Sequence, residues 1–151
     1  MKYFIQTFGC QMNESDSALI GGLLQQSGHT NAHNIASANL IVVNTCCIRQ
    51  SAENKILGFL GNLKHHKDSI IVVCGCMVQK EGIVEKLCKS FNHINILLGT
   101  FSLAKLPMYV EQYLSLQQRI IDIEECYDIG DLATTSLNDL HLPDVDEKYR
   151  A

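Results

Sequence analysis

The sequence contains no tryptophan, and charged residues make up only 19% of its 151 residues. Without an indole there is no Trp to stack on a flavin ring. No run of residues suits a membrane span, because the uncharged residues 31–48 include Asn, His, Ser and Thr. The first residues lack the basic and then apolar pattern of a secretory signal. We therefore expect a cytoplasmic globular protein with no membrane partner.

Cysteine is the unusual component, with seven residues. A cytoplasmic protein keeps its thiols reduced, so a disulfide framework is not expected. The C-x2-C spacing of zinc sites does not occur, since the local pairs are Cys46-Cys47 and Cys74-Gly75-Cys76. The cysteines therefore call for another explanation.

The formal net charge of −4 is unevenly distributed. Residues 1–116 hold nine Lys/Arg and seven Asp/Glu, whereas residues 117–151 hold three and nine. This contrast predicts a domain over residues 1–116 and an acidic linker over residues 117–151. Charge alone indicates no nucleic-acid surface.

Strand and helix patterns alternate along the first 116 residues. The predicted strands are residues 2–8, a weak edge strand within 30–35, and the apolar runs 40–44, 70–74 and 94–98. Helices are predicted from the polar cluster at residues 13–16 to Gly28, and over residues 51–64, 79–90 and 103–116. Residues 33–39 show no distinct helix, and residues 120–123 are a further candidate strand. The alternation predicts an α/β fold: a doubly wound, mostly parallel five-stranded sheet in a flavodoxin-like, Rossmann-like three-layer sandwich with strand order 2-1-3-4-5.

Three cysteines follow the ends of strands that would be neighbours in this order. Cys10 follows the first strand, Cys46 the third and Cys76 the fourth. Ligands of open α/β sheets bind beyond the carboxyl ends of the strands, and neighbouring strands lie about 4.8 Å apart. We therefore expect these three sulfurs to share a site. Three thiolates favour an iron–sulfur cluster over structural zinc, which requires four closed ligands.

The other cysteines have simpler explanations. Cys is among the most frequently buried residue types. Cys74 lies inside a predicted strand and Cys88 on the apolar face of a helix, so both are expected in the core. Cys126 lies in the acidic tail without a partner nearby, and Cys47 either neighbours the site or begins a helix.

The segments around the three cysteines carry a family resemblance. They read Gln6-Thr7-Phe8-Gly9-Cys10-Gln11-Met12-Asn13, Asn44-Thr45-Cys46-Cys47-Ile48-Arg49 and Gly75-Cys76-Met77. These segments resemble the N-terminal domain of the methylthiotransferases, and the likeness extends over residues 2 to about 116. The octapeptide is most similar to the tRNA-modifying branch, the 2-methylthio-N6-dimethylallyladenosine synthases. The ribosomal-protein and threonylcarbamoyladenosine branches usually carry Leu in place of Phe8.

The resemblance implies a radical enzyme of three domains. Its N-terminal domain would hold an auxiliary [4Fe–4S] cluster through Cys10, Cys46 and Cys76. The open iron would carry the sulfur that is transferred to C2 of adenosine in tRNA. A central domain would bind S-adenosylmethionine and a second [4Fe–4S] cluster through C-x3-C-x2-C, and a small β domain would bind RNA.

This chain differs from the family pattern in two places. It contains no C-x3-C-x2-C, and residues 142–151 resemble the linker that precedes that motif. We therefore expect a fragment that is inactive alone. Cys47 stands where relatives often have another residue, so either Cys46 or Cys47 is the ligand, and its place in Asn-Thr-Cys favours Cys46.

Two other functions compete with this interpretation. One is a flavodoxin-like module that holds a flavin or a metal without catalysis. The loop after the first strand lacks a Ser/Thr/Gly phosphate cradle, which speaks against a flavin. The other is a methylthiotransferase that acts on a ribosomal protein, and the octapeptide at Cys10 speaks against it.

Overall fold

The computed structural model describes residues 1–46 and 50–123. Within these residues, six parallel strands form one sheet in the order β2-β1-β3-β4-β5-β6. The strands are β1 (Lys2–Thr7), β2 (Thr30–Asn31), β3 (Leu40–Thr45), β4 (Ile70–Gly75), β5 (Ile96–Leu98) and β6 (Ile120–Asp122). The predicted α/β fold and the order of its first five strands are confirmed. The sheet has six strands rather than five, because the candidate strand at residues 120–123 pairs with β5.

Four α-helices connect the strands. They are α1 (Gln11–Gln26), α2 (Gln50–Asn62), α3 (Ile83–Ser90) and α4 (Leu106–Leu116). Short 3-10 turns occupy Ile35–Ser37, Leu63–His65, Cys76–Gln79 and Thr100–Lys105. The helix predicted over residues 79–90 begins only at Ile83, after Gly82, whose φ of +74° belongs to the left-handed region. No described helix is long and apolar enough to cross a membrane.

The core has two layers, one on each face of the sheet. One layer packs α2 and α3 against side chains such as Ile41, Val43 and Val73. The other packs α1 and α4 against Leu40, Val42 and other residues of the same strands. Every residue of β3 and β4 is buried, as the continuous apolar runs predict for strands covered on both faces.

The edges of the sheet have different roles. Because all the strands run in one direction, their carboxyl ends meet at one edge, and this carboxyl edge carries the turns into α1, α2 and α3. The opposite amino edge carries the carboxyl ends of the helices. The order of strands places the ends of β1, β3 and β4 side by side at the carboxyl edge.

Candidate functional site: a cysteine edge

The three predicted site cysteines all lie at the carboxyl edge. Thr45 at the end of β3 is in register with Gly75 at the end of β4, so Cys46 and Cys76 leave neighbouring strands at the same level. The pairing of β1 with β3 continues past the strand end, where the Phe8 amide donates to the Asn44 carbonyl over 2.8 Å. Cys10 then follows two residues later as the N-cap of α1.

Gly9 lets the first cysteine loop approach the second. A Cβ atom on Gly9 would lie 2.2 Å from Oδ1 of Asn13 and 2.7 Å from Cβ of Cys46. Both distances are shorter than van der Waals contact, so only glycine allows this approach. Cys46 is thereby held directly against the turn that carries Cys10.

Two buried asparagines join the first two loops. Nδ2 of Asn13 donates to Oδ1 of Asn44 and to the Thr45 carbonyl, each over 3.1 Å. Nδ2 of Asn44 donates in return to the Asn13 carbonyl over 2.8 Å. Oδ1 of Asn13 also accepts from the Cys10 amide over 3.3 Å and from the Cys10 thiol over 3.5 Å. The position of Cys10 relative to β3 therefore depends on Asn13.

Cys10 and Cys46 lie next to each other, because Gly9, the residue before Cys10, packs against Cβ of Cys46. Cys10 is exposed, whereas Cys46 is only 5% exposed. Hydrogen bonds from Asn13 and Met12 at the start of α1, together with one from the Cys46 side chain, hold the pKa of Cys10 below its ordinary value. These contacts favour the anionic sulfur that a metal requires.

A second glycine brings the third loop against the second. Gly75 has a φ of +103°, and a Cβ there would lie 2.2 Å from the Thr45 carbonyl oxygen. Cys76 follows, half-buried, and its thiol donates to the same carbonyl over 3.6 Å. The hydroxyl of Thr45 donates to the Cys74 carbonyl over 2.6 Å. Cys76 is thus adjacent to the residue that precedes Cys46.

Cys74 and Cys88 lie apart from this group. Cys74 has no exposed surface, and burial raises the pKa of its thiol to about 12. It packs in the layer beneath α1 and α4, as expected of a core residue. Cys88 is half-buried and packs against the edge of the other layer, so it is less buried than the sequence pattern predicts.

An ion-pair cluster connects the elements that follow Cys46 and Cys76. Glu53 lies in the first turn of α2, and its carboxylate contacts Nζ of Lys80 and Nζ of Lys86, each over 3.2 Å. Both lysines hold the pKa of this carboxyl below its usual value. Glu53 is buried although it is charged, so the cluster fixes the start of α2 against the turn between Cys76 and α3.

Three cysteine thiolates are a donor set that suits an iron–sulfur cluster, since thiolates are the usual ligands of such clusters. Among the described residues, no three His, Cys, Asp or Glu side chains converge closely enough to hold one metal ion. In an iron–sulfur cluster each cysteine binds a different iron, so the thiolates need not converge on one point. Cys10 is exposed, so a cluster bound there would be accessible from solvent.

Some expected residues lie outside the described part of the chain. These are Cys47, Arg49, Cys126 and the tail from residue 124, so the structure does not decide between Cys46 and Cys47. The sequence predicted Asn13 only as part of a helix start, and it assigned no role to Asn44 and Gly75, although all three lie within the quoted motifs. A signal was present, since Asn44 interrupts an otherwise apolar strand.

Comparison with known proteins identifies the relatives of this chain. Residues 2–99 match the family described as Uncharacterized protein family UPF0004. The tRNA-2-methylthio-N(6)-dimethylallyladenosine synthase of Clostridium beijerinckii is 45% identical over 114 residues, which are 73% of this chain and 25% of that protein. The proteins of the same name from Staphylococcus haemolyticus and Clostridium botulinum are 44% and 39% identical, over 75% and 83% of this chain and 23% and 28% of theirs.

These matches confirm the resemblance drawn from the motifs at the cysteines. The resemblance covers only part of these relatives, because the chain spans about a quarter of the length of the curated relatives.

Proposed function

The chain belongs to the UPF0004 family, and on that premise we propose that it is the cluster-binding domain of a tRNA methylthiotransferase. The whole enzyme would add a methylthio group to C2 of N6-(dimethylallyl)adenosine in tRNA. The proposal rests on the placement of Cys10, Cys46 and Cys76 at one sheet edge, where the turn that carries Cys10 packs against Cβ of Cys46.

The three cysteines would hold an auxiliary [4Fe–4S] cluster. When bound, such a cluster supplies an iron without a protein ligand, at which the sulfur to be transferred is held. Cys10, the exposed member, would hold the side nearest the substrate, and Cys46 the side nearest the sheet. Asn13 and Asn44 would fix the spacing between these two, and Gly75 would set the position of Cys76.

Radical chemistry would require a part of the enzyme that this sequence does not contain. S-adenosylmethionine and a second [4Fe–4S] cluster would be bound by C-x3-C-x2-C, which is absent from the 151 residues. We therefore expect this chain to bind iron and sulfide without methylthiolating tRNA. Cytoplasmic tRNA would be the partner of the whole enzyme.

Anaerobic reconstitution with iron and sulfide tests the proposal. We expect about four iron atoms per chain, with the brown colour of a cluster rather than the yellow of a flavin. Cys10→Ala, Cys46→Ala and Cys76→Ala should each sharply lower the bound iron, because two thiolates hold a cluster poorly. Cys74→Ala and Cys88→Ala are matched controls that should retain it.

Three results would overturn parts of this assignment. Equal iron in all five variants would refute the cysteine edge as the site. Loss of iron in Cys47→Ala with retention in Cys46→Ala would move the second ligand by one residue. Methylthiolation of tRNA by this chain alone would contradict the need for another domain.

A further inference from the structure

The amino edge, opposite the cysteines, carries a concave basic surface. A cavity of about 410 Å³ is lined there by Lys64, His66, Lys67, His93 and Tyr113, among other residues. A second cavity of about 270 Å³ lies on the other side of the same loop and shares His66 and Lys67. We call these five residues the amino-edge surface.

The lysines of this surface are not neutralised by acids. Eight lysines and one arginine occur among the described residues, and three of the lysines pair with buried Glu53 or Asp122. Five of the other six cations lie at the starts of strands or the ends of helices, which is the amino edge: Lys2, Lys64, Lys67, Lys89 and Arg119. Asp68 is the one carboxylate that lines either cavity. Residues 1–116 are therefore nearly neutral as a whole, but the amino edge is positively charged.

Cations at helix ends often serve to offset the negative end of the helix dipole. Here other donors bind several of the terminal carbonyls. Nε2 of His93 contacts the Leu60 carbonyl at 2.7 Å, and Nε2 of Gln117 donates to the Leu114 carbonyl over 3.3 Å. The guanidinium of Arg119 donates to four carbonyls between α3 and β5, those of Cys88, Phe91, Asn92 and Ile94.

The two ammonium groups and the Tyr113 hydroxyl of the amino-edge surface remain free to donate to a ligand, whereas Nε2 of His93 is engaged by the Leu60 carbonyl. Within residues 1–46 and 50–123, neither ammonium group of Lys64 and Lys67 has a hydrogen-bond or ion-pair partner. Both lysines are exposed beside the larger cavity. The Tyr113 hydroxyl accepts from Nδ2 of Asn95 over 2.6 Å, so its own hydrogen can be donated to another acceptor. Ammonium groups and a hydroxyl around a concavity are donors suited to phosphate oxygens.

We propose that the amino-edge surface binds the phosphodiester backbone of RNA, an inference that rests on the proposed function. The six residues of β4 separate this edge from the cysteines by about 20 Å. An RNA hairpin that presents an unpaired base at the cysteine edge can place phosphates of its stem at that distance. Backbone contacts of this kind position a nucleic acid without reading its sequence.

The salt dependence of RNA binding tests the surface. The 151-residue chain is titrated into a fluorescent tRNA anticodon stem–loop at several salt concentrations, with fluorescence anisotropy as the readout. The double variant Lys64→Gln/Lys67→Gln should bind about tenfold more weakly at low salt, and the slope of log affinity against log salt should fall by about 1 for each lysine. The matched control is Lys55→Gln, an exposed lysine of α2 that lines neither cavity and should leave both quantities unchanged.

The outcomes separate this inference from the proposed function, which is read out by bound iron. Normal iron with unchanged RNA affinity in the double variant would refute the surface alone. Absence of RNA binding by the wild-type chain would refute the surface as well. A lowered thermal midpoint with unchanged RNA affinity would show that the lysines only compensate the helix ends. If Lys55→Gln weakened RNA binding as much as the double variant does, the effect would come from net charge alone, which would also refute the surface.

Discussion

Replacing Asn13 by alanine removes the side chain that joins the Cys10 loop to β3. The variant loses the two bonds that Nδ2 donates, to Oδ1 of Asn44 and to the Thr45 carbonyl. It also loses the acceptor of the Cys10 amide. The Cys10 amide is at the surface, where water can replace the lost acceptor, whereas Asn44 and Thr45 have no exposed surface.

The magnitude follows from these two buried acceptors. A buried polar atom left without its partner costs about 1–3 kcal/mol. The Thr45 carbonyl retains the weak contact with the Cys76 thiol, so its loss should be at the lower end of that range. We therefore expect a decrease of about 2–4 kcal/mol in the free energy of unfolding, measured by urea denaturation, and a thermal midpoint lower by about 10 °C.

Stability alone does not test the site, so a matched control is needed. Asn95 also makes two bridging bonds, but at the amino edge: it accepts from the Ile71 amide over 2.7 Å and donates to the Tyr113 hydroxyl over 2.6 Å. Asn95→Ala should destabilise the chain by a similar amount and leave bound iron unchanged. Asn13→Ala should lose both stability and iron. Full iron in Asn13→Ala, or equal iron loss in the two variants, would refute the role of Asn13 in positioning Cys10.

Three further predictions test the elements around the site. Gly75→Ala should lower the free energy of unfolding by several kcal/mol in urea denaturation, since its Cβ would meet the Thr45 carbonyl. Gly58→Ala in α2 meets open space and should raise the free energy of unfolding by about 0.5–1 kcal/mol. Equal effects of the two variants would contradict the argument from close approach. Because the ion pairs lower the pKa of Glu53 in the folded state, they add to the free energy of unfolding at pH values above the ordinary carboxyl pKa of about 4.3. This contribution is lost as the pH falls through the lowered pKa of the folded state. Urea denaturation from pH 7 to pH 3 should therefore show a shallower loss in Glu53→Gln, while the exposed Glu81→Gln should retain the wild-type profile; identical slopes in all three would argue against the ion-pair cluster. Iodoacetamide at pH 7.5 should label exposed Cys10 first and buried Cys74 only after unfolding, as read by peptide mass spectrometry, and equally rapid labelling of Cys74 would contradict its burial and its raised pKa.

The order of the sheet could be predicted because its strands are strongly marked. β3 and β4 are continuous apolar runs, which a strand covered on both faces requires. The alternation with helices then leaves few arrangements of parallel strands. The ends of the helices were predicted less accurately, since α3 begins at Ile83 rather than at residue 79 and α4 at Leu106 rather than at residue 103.

The sequence predicted the positions of the cysteines better than the contacts between them. The polar cluster at residues 13–16 suggested a helix start, but the helix begins at Gln11 because Cys10 is its N-cap. Asn13 therefore lies in the first turn and points inward, which helix signals cannot reveal. The links between Asn13 and Asn44 join residues 31 positions apart and depend on the approach of two loops. Contacts of this kind follow from tertiary packing and have no local pattern.

The attachment of β6 has a consequence for how the sheet opens. Within the described part of the chain, this strand of three residues pairs only with β5. It is held at both ends, by Arg119 at its entry and by Asp122, which contacts Lys105 and Tyr109, at its exit. An edge strand held only by its ladder would fray one amide at a time. With both ends anchored by side chains, β6 should detach as a single cooperative unit, and the amides of Gly99 and Ile120, whose bonds span its two ends, should exchange with deuterium at one common rate.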